Sequence, residues 1–385
     1  MMIDRGLASS TDRLPPTHRA WVEVDLGAIR RNLLAIRRLL TPSVLLMSVV
    51  KADGYGHGAE AVARVALSAG ASWLAVATLE EGIQLRKAGI DSPVLLFGPA
   101  ISKEEVEAVA LHHLQPTVCS FDQARRFSEA GLPGMAVHLK VDTGMSRLGA
   151  APHEVEDLVR ALSGLPNITV ASLYSHLAKA DAADPATTHH QLRRFTEVVR
   201  ILGAHGARPP LVHLANSAAT LGSPGTHFNL VRIGLAQYGI YPAPHLRNSV
   251  SLQTALDVKA RIVFVKTVPA GTGISYGHTF RTGRLTRLAT VAIGYADGVP
   301  RGLSNKLDVL VRGRRVRQVG TITMDQCLID VTDVPEATEG DIATLLGQDG
   351  TESIWAGEWA ERLETSPYEI VSRLSGRLPR VYFQG

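Results

Sequence analysis

The 385-residue sequence predicts an α/β protein with an N-terminal (β/α)8, TIM-like barrel and a mainly β C-terminal domain. Two patterns predict this fold. In the first part of the chain, eight short apolar runs alternate with amphipathic segments, as expected of a barrel of parallel strands. Beyond about residue 245, strand-like segments follow one another closely, with glycine- and proline-rich turns between them.

The eight apolar runs are the predicted barrel strands, because each has the length of a single buried strand. They occupy residues 44–52, 73–78, 93–98, 114–119, 135–143, 168–177, 211–216 and 229–234. A helical segment at 26–40 precedes the first run, and helical periodicity recurs between later runs at 102–113, 153–165 and 189–206. The seventh connection, residues 217–228, is short for a full helix and is the weakest part of the eightfold pattern.

The sequence divides into three predicted regions: a disordered N-terminal tail (1–20), the barrel (21–245) and the β domain (246–383). In the β domain, residues 255–268 and 287–295 have strand patterns, and residues 353–366 form one late helical stretch. The basic cluster at 312–317 has no aromatic neighbours, so it predicts a solvated hairpin rather than a nucleic-acid site. The last four residues, YFQG, resemble the remnant of a protease recognition site and carry no functional prediction.

Composition argues against several classes of protein. An apolar fraction of 45% and a charged fraction of 20% are typical of a globular enzyme. No run of eighteen apolar residues is present, and the N-terminal segment lacks the apolar stretch of a signal peptide, so we expect no membrane partner. The two cysteines, Cys119 and Cys327, are far apart and lack metal-ligand spacing. We therefore expect no metal site and a reducing, cytoplasmic location.

Polar residues follow the C-terminal ends of several predicted strands, where barrels of this class carry their active sites. They are Lys51 after strand one, Arg147 after strand five, His176 in strand six, Asn216 and Ser217 at strand seven, and Arg232 and Gly234 in strand eight. Each also has a structural explanation: Lys51 as a surface charge, His176 as a core histidine, Ser217 as a helix N-cap. Arg147 and Arg232 can instead pair with Asp142 or Asp297. Their convergence on one rim favours a common site.

This rim combines a phosphate-binding end with an amine. The loops after strands seven and eight are the usual phosphate site of such barrels, and Ser217 with the backbone of Gly234 and Leu235 offers a hydroxyl and amides there. Lys51 supplies the amine that an aldehyde cofactor needs for a Schiff base, and the glycines after it allow close approach. The combination suits pyridoxal 5'-phosphate.

Seven motifs in matching order give a resemblance that runs from residue 21 to residue 382. They are VVKADGYGHG, HLKVDTGMSRLG, HLANSAA, VRIGLAQYGIY, ISYGHTF, IGYADG and TITMDQ. With these motifs the sequence resembles the alanine racemase family. The resemblance implies pyridoxal-phosphate-dependent interconversion of L- and D-alanine, supplying D-alanine for peptidoglycan synthesis. It also implies a cytoplasmic homodimer whose two active sites are shared between subunits.

The resemblance implies two catalytic bases, Lys51 and Tyr276. Lys51 forms the Schiff base with the cofactor and acts on one face of the substrate, and Tyr276 of the partner subunit acts on the other. Inversion needs such a pair, because a single base exchanges the α-proton without inverting the carbon. A tyrosine is a weak base at its ordinary pKa near 10, and by resemblance His176, next to Arg232, favours the phenolate. Arg232 is implied to face the pyridine nitrogen, which disfavours transamination.

The resemblance assigns the remaining site residues to groups. Tyr55, Ser217, Gly234, Leu235 and Tyr368 match phosphate contacts, and His176 and Asn216 complete the cofactor site. Arg147, Met324 and Tyr276 match the substrate site, Met324 and Tyr276 coming from the partner. Lys140 matches a lysine that is often carbamylated and then holds Arg147. Tyr295, Arg301 and Asp325 match the partner's entrance corridor; for Tyr295 a tight turn is the structural alternative.

Two positions depart from the family's usual pattern: Ser146 stands where glycine is frequent, and Thr323 where cysteine is common. Neither change removes a charge or a base. Three alternatives stay open: a racemase of broad specificity, a non-catalytic pyridoxal-phosphate-binding protein, and a barrel decarboxylase. The β domain with Tyr276 disfavours the second, since such carriers are single barrels, and Arg232 disfavours the third, which would be expected to have an acidic partner for the ring nitrogen.

Overall fold

A computed structural model of the chain describes residues 18–131 and 133–385. Of the predicted disordered tail, residues 1–17 lie outside the described residues. The described chain divides into two compact units. The barrel unit contains residues 29–54 and 59–253, and the β unit contains residues 18–28, 55–58 and 254–385. Among the described residues, no helix combines the length and the apolar character that crossing a membrane requires.

The barrel unit contains a sheet of eight parallel strands. The chain opens with strand β1 (Ala20–Asp25) and helix α1 (Leu26–Arg37). The barrel strands are β2 (Leu45–Val49), β3 (Trp73–Val76), β4 (Val94–Leu96), β5 (Gln115–Val118), β6 (Met135–Lys140), β7 (Ile168–Tyr174), β8 (Leu211–His213) and β9 (Leu230–Ile233). All eight predicted strands are confirmed, and each ends a few residues before the apolar run does.

The sheet is nearly closed. Its strands follow the order β8-β7-β6-β5-β4-β3-β2-β9, with parallel pairing throughout. Two backbone hydrogen bonds link the end strands β8 and β9. The Asn229 N–H donates to the Val212 carbonyl (3.3 Å), and the Arg232 N–H donates to the Ala215 carbonyl (3.0 Å). The C-terminal ends of all eight strands therefore lie on one rim.

Helices separate most of the strands. They are α2 (Lys51–Tyr55), α3 (Ala59–Ser68), α4 (Leu79–Lys87), α5 (Lys103–Leu111), α6 (Phe121–Glu129), α7 (Val155–Ser163), α8 (Ala186–Ala204) and α9 (Ser217–Gly222). Helices α4 and α5 start at capping boxes, Thr78 with Glu81 and Ser102 with Glu105. The seventh connection is short, as predicted: α9 has six residues and leads into a 3-10 turn.

The β unit is mainly β-sheet. Its elements are β10 (Leu256–Val268), β11 (Gly273–Ile274), β12 (Phe280–Arg281), β13 (Thr286–Val291), β14 (Asp308–Val311), β15 (Arg314–Arg317), β16 (Cys327–Asp330), β17 (Ile342–Asp349), β18 (Glu352–Ile354), α10 (Ala356–Arg362), α11 (Pro367–Ser372) and β19 (Arg380–Phe383). The main sheet has the order β15-β14-β17-β10-β1-β19, and β13 joins β10 to β16. Residues 312–317 form a hairpin as predicted: β14 and β15 are antiparallel, and Arg312 and Gly313 turn with φ of 52° and 72°.

The structure differs from the predicted regions at β1. This strand pairs antiparallel with β10 and parallel with β19, so it lies in the β unit, whereas the sequence suggested that the barrel begins at residue 21. Trp21 and Val24 on β1 are fully buried. Both edges of β1 are paired, and its partners β10 and β19 lie far away in the sequence. Tyr382 and Phe383 of the YFQG tail belong to β19.

Candidate active site

The charges of four cations act on one imidazole at the C-terminal rim of the barrel unit. His176 is partly buried, and its pKa is lowered well below the ordinary value by desolvation and then by the charges of Arg232, Lys140, Arg147 and Lys51. The neighbouring Arg232 donates to His176 Nδ1 over 3.1 Å. The structure therefore brings together five of the residues that the sequence placed on the rim or on the strand leading to it.

Arg232 is a buried guanidinium held without a carboxylate. Nη1 donates to His213 Nδ1 (3.0 Å) and to the His213 carbonyl (3.2 Å), and Nη2 donates to the carbonyls of Ser175 (2.8 Å) and Leu214 (3.0 Å) as well as to His176. Burial lowers the pKa of Arg232 to about 10, so it remains a cation at neutral pH. Since an arginine only donates, both imidazoles must present lone pairs to it.

Neither arginine forms the ion pair that a purely structural explanation would give. Asp297 pairs with Arg19 (2.6 Å). Asp142 accepts the backbone N–H groups of Gly144, Met145 and Ser146 at 2.9–3.1 Å. Although burial opposes ionisation, these bonds hold the pKa of Asp142 below its ordinary value. Within residues 18–131 and 133–385, Arg147 and Arg232 therefore keep their charges free of carboxylate partners.

Lys51 starts a left-handed turn rather than a loose glycine loop. Ala52, Asp53, Gly54 and Tyr55 all have positive φ, between 51° and 61°. The Gly54 N–H donates to the Val50 carbonyl (2.8 Å), and Asp53 Oδ1 accepts the Ala59 N–H (2.9 Å), so the turn is fixed. Non-glycine residues in this region are strained, and such strain is concentrated at functional sites.

The environment of Lys51 favours its neutral amine. Burial is the largest cause that lowers its pKa, and the charge of Arg147 adds to it, while Glu81 opposes both. Glu81 is fixed by three backbone N–H groups, those of Ala52 (2.6 Å), Ala77 (2.7 Å) and Thr78 (3.2 Å). A neutral amine is the form that attacks an aldehyde.

Lys140 is a second buried lysine with a weakened charge. It is 5% exposed, and burial, followed by the charges of Arg232 and Arg147, lowers its pKa to about 8. Its Nζ lies 5.0 Å from the centroid of the Tyr174 ring. An appreciable fraction of Lys140 is therefore uncharged and nucleophilic near neutral pH.

The turn between β8 and β9 presents a hydroxyl. Asn216, and not Ser217, is the N-cap of α9, because its side chain accepts the Ala219 N–H (3.0 Å). Ser217 Oγ accepts the N–H groups of Gly234 (2.9 Å) and Ala236 (3.3 Å). Two accepted bonds leave the hydroxyl proton of Ser217 as the group that donates. Leu235 begins a short 3-10 turn directly after Gly234.

The β unit holds the other predicted site residues on a surface of its own. Tyr276, Met324 and Tyr295 have exposed side chains, and Tyr276 is 74% exposed. The Tyr295 N–H donates to the Thr323 carbonyl (3.0 Å), which joins the 294–298 turn to the segment that contains Met324 and Asp325.

The turn at residues 294–298 is tight, as the structural explanation of Tyr295 requires. It is also hydrogen-bonded to the segment that contains Met324 and Asp325. Asp325 accepts a bond from Arg377 (2.7 Å), and Arg301 opens a 3-10 turn. The rings of Tyr55 and Tyr368 lie 5.8 Å apart.

Sequence reasoning missed four interior residues: His138, Ser172, Tyr174 and His213. All are buried, and Tyr174 stacks on His213 at 4.8 Å with 3° between the ring planes. The sequence carried a signal for these residues. His138 lies two residues before Lys140, and Ser172, Tyr174 and His176 follow one another at intervals of two. Residues two apart on a strand point to the same side.

The comparisons with known proteins agree over nearly the whole chain. A family model described as alanine racemase, N-terminal domain, matches residues 24–242, and one described as alanine racemase, C-terminal domain, matches residues 255–382. The chain belongs to the alanine racemase family. An alanine racemase of Nostoc sp. is 51% identical over 373 residues, which cover 95% of this chain and 96% of that relative. One of Synechocystis sp. is 49% identical and covers 94% and 98%.

Solved alanine racemase structures have the same fold. That of a D-cycloserine-producing Streptomyces lavendulae is 39% identical with a TM-score of 0.89, covering 97% of this chain and 98% of that one. That of Bacillus anthracis, with bound L-Ala-P, is 39% identical with a TM-score of 0.90 and covers 97% of both. The family and the fold predicted from the sequence are confirmed, and the chain is an amino-acid isomerase.

Proposed function

We propose that this chain interconverts L- and D-alanine by a two-base mechanism with pyridoxal 5'-phosphate, supplying D-alanine for peptidoglycan synthesis in the cytoplasm. The observation that carries the proposal is the cluster of four cations, Lys51, Lys140, Arg147 and Arg232, around His176. The cofactor and the substrate both bring anionic groups, a phosphate and a carboxylate, which such a cluster attracts.

The residues present fit this cofactor. The hydroxyl of Ser217 has a proton left to donate to a phosphate oxygen, and Gly234 and Leu235 lie at the start of a 3-10 turn beside it. Asn216 holds that turn by capping α9. Tyr55 and Tyr368, which lie together in the β unit, are the proposed tyrosine contacts to the phosphate. When bound, the cofactor supplies a conjugated ring that stabilises negative charge at the substrate's α-carbon.

Lys51 and the partner subunit's Tyr276 are the proposed bases. Lys51 has an amine biased toward its neutral form, so it both attaches the cofactor and accepts a proton. Tyr276 is highly exposed in the single chain, as a side chain that completes a neighbour's site must be. His176, whose Nδ1 is occupied by Arg232, keeps its proton on Nε2 and can donate it to the phenolate oxygen.

Arg147 and the partner's Met324 are proposed to bind the substrate carboxylate. Arg147 is exposed and has no carboxylate partner among the described residues, so its charge is available. Lys140, with a pKa of about 8, is suited to carbamylation, since carbon dioxide reacts with the neutral amine. The resulting anion would hold Arg147. The partner's Tyr295, Arg301 and Asp325 are proposed to line the entrance corridor.

The test is a complementation experiment in deuterated water. Alone, Lys51→Ala and Tyr276→Phe should each fail to racemise alanine, while Tyr276→Phe still exchanges the α-proton of one enantiomer. A mixed dimer of the two variants has one intact site if the sites are shared, so unfolding and refolding an equimolar mixture should restore about a quarter of the wild-type rate. Absence of recovery would contradict shared sites, and full racemisation by Tyr276→Phe would contradict the second base.

Substrate breadth is the remaining alternative within this function. Thr323 replaces the usual cysteine next to Met324, and its hydroxyl donates to the Gln326 carbonyl (2.8 Å). Racemisation of serine and lysine, measured beside alanine under the same conditions, separates a racemase of broad specificity from one restricted to alanine.

A further inference from the structure

We propose that four interior residues, His213, Ser172, His138 and Gln115, form a one-directional hydrogen-bond chain that positions Arg232. Arg232 sets the tautomer of His213, and the chain holds that ring in the orientation that keeps its Nδ1 lone pair aimed at the guanidinium. The order of its hydrogen bonds is independent of the proposed function; its consequence for the cofactor rests on that function.

The four residues are linked by successive short contacts across four neighbouring strands. His213 Nδ1 lies 3.0 Å from Arg232 Nη1, and His213 Nε2 lies 3.1 Å from Ser172 Oγ. The same Ser172 Oγ lies 2.6 Å from His138 Nδ1, and His138 Nε2 lies 2.8 Å from Gln115 Oε1. His213, Ser172 and His138 are all fully buried, so no solvent competes for these bonds.

The chemistry of the two ends determines the direction of the whole chain. Arg232 has only N–H groups, so His213 must accept at Nδ1 and carry its proton at Nε2. That proton goes to Ser172 Oγ, and the serine proton then goes to His138 Nδ1. His138 consequently carries its proton at Nε2 and donates to Gln115 Oε1, an oxygen that only accepts. Each of the four protons between Arg232 and the Gln115 oxygen therefore has one acceptor.

The surroundings keep both histidines neutral and hold their rings in place. Burial lowers the pKa of His138 to about 3, and burial followed by the charge of Arg232 lowers that of His213 well below its ordinary value, so both rings are neutral at pH 7. Tyr174 stacks on His213, and Trp73 meets His138 edge-on at 5.3 Å. The Tyr174 hydroxyl is held in turn by Thr117 (2.7 Å). These aromatic contacts hold the two imidazole rings in their orientations.

A purely structural role does not account for the chain. The interior of such a barrel is ordinarily filled by branched apolar side chains. Replacing a buried polar group by an apolar one of similar shape is often neutral or stabilising. A fully hydrogen-bonded polar chain in this interior therefore serves to fix the orientation of the side chains that it links. The charged group at its end is Arg232, the residue proposed to face the cofactor's ring nitrogen.

The variants that test the chain replace buried serines on barrel strands, one inside the chain and one outside it. Ser172→Ala removes the middle link, so that the buried Nε2–H of His213 loses its acceptor and Nδ1 of His138 loses its donor, whereas Ser172→Thr keeps the hydroxyl. Ser48→Ala is the control, because Ser48 is equally buried on β2 and its hydroxyl bonds to Gln237 (2.7 Å), outside the chain.

The first readout needs no cofactor. In cofactor-free protein labelled with ¹⁵N-histidine, His213 and His138 should both show a protonated Nε2 and an unprotonated Nδ1. Ser172→Ala should keep these tautomers, which Arg232 and Gln115 still impose, but should move the His213 Nε2 proton resonance upfield because its hydrogen bond is lost, and Ser172→Thr should restore the resonance. A protonated Nδ1 or a charged ring at His213 in the unsubstituted protein overturns the proposal.

The second readout is the ratio of transamination to racemisation in the holoenzyme. It should rise about fivefold in Ser172→Ala, the factor that corresponds to one lost hydrogen bond, and return in Ser172→Thr. Ser48→Ala should leave the ratio unchanged even if its Tm falls as far. An equal ratio in the two alanine variants overturns the positioning role. Correct tautomers in a protein without racemase activity would instead contradict the proposed function.

Discussion

Lys51 shows how a single residue acquires a reactive amine from opposing influences. Burial and the nearby charge of Arg147 favour the neutral form, and Glu81 favours the ammonium. Glu81 is not free to move, since its carboxylate accepts three backbone N–H groups, one of them from Ala52 directly after the lysine. The protonation of Lys51 is therefore adjusted by a side chain on α4, the helix that follows the next barrel strand, β3.

Neutralising that carboxylate should lower the pKa of Lys51 further. In Glu81→Gln, the amide oxygen can still accept the N–H groups of Ala77 and Thr78, as the capping box requires, while the bond from Ala52 and the charge that favours the ammonium are lost. The pH midpoint for covalent labelling of Lys51 in cofactor-free protein, followed by mass spectrometry, should move to lower pH. The control is Glu80→Gln, an exposed neighbour on the same helix. An unchanged or higher midpoint in Glu81→Gln would contradict this electrostatic account.

Single residues were predictable where strand order alone decides their position. Lys51, Arg147 and Arg232 could be placed on one rim because the C-terminal ends of parallel strands in a barrel lie together. Glu81 and His213 could not be placed, since their roles depend on which side chains meet across neighbouring elements. The structural alternative for Ser217, a helix N-cap, is filled by the neighbouring Asn216, and the sequence does not distinguish the two because both residue types cap helices well.

At the scale of elements, the loop after β6 is organised around one carboxylate. Asp142 accepts three successive backbone N–H groups, and the chain then turns through Ser146, whose φ is 58°. This left-handed conformation explains why glycine suits the position. Ser146 precedes Arg147, so backbone strain in this loop lies beside the proposed substrate-binding arginine.

Replacing Ser146 by glycine should stabilise the protein. A left-handed non-glycine residue costs roughly 1–2 kcal/mol, and glycine loses about 0.5–1 kcal/mol through its freer unfolded chain. The net gain is of order 0.5–1 kcal/mol, which thermal denaturation should show as a rise in Tm of about 1–4 °C. Ser146→Ala keeps the strained φ and is the matched control. A Tm for the glycine variant at or below that of the alanine variant would refute the strain.

Whole elements were predictable when their partners are near in sequence. The eight barrel strands and the 312–317 hairpin carry local patterns, and both are confirmed. The place of β1 was not predictable, because its partners β10 and β19 come from segments more than two hundred residues away. An isolated strand pattern does not show which sheet will receive it.

Across the whole molecule, the two units contain buried groups that respond to acid with opposite signs. In the barrel unit, His138, His176 and His213 have lowered pKa values. Below about pH 6.5 these imidazoles become protonated in the unfolded chain, whereas in the folded unit they stay neutral to lower pH. In the β unit, burial raises the pKa of Asp257 to about 6, although Lys259 opposes it. Between pH 6 and 4 that carboxyl takes up a proton in the folded unit and not in the unfolded chain.

Acid should therefore open the barrel unit before the β unit. Stability contributed by the three histidines is complete above pH 6.5 and declines as the pH falls below it; for His138, whose pKa in the folded unit is about 3, the decline between pH 6.5 and 5 is about 2 kcal/mol. Asp257 contributes stability in the opposite sense, since its contribution grows as the pH falls below 6. Hydrogen exchange measured at pH 7 and pH 5, corrected for intrinsic rates, should show protection lost in residues 29–54 and 59–253 and kept in 254–385. His138→Gln removes one of the three histidines and should reduce the loss. Equal loss of protection in both units, or earlier opening of the β unit, would show that these buried groups do not govern the acid response.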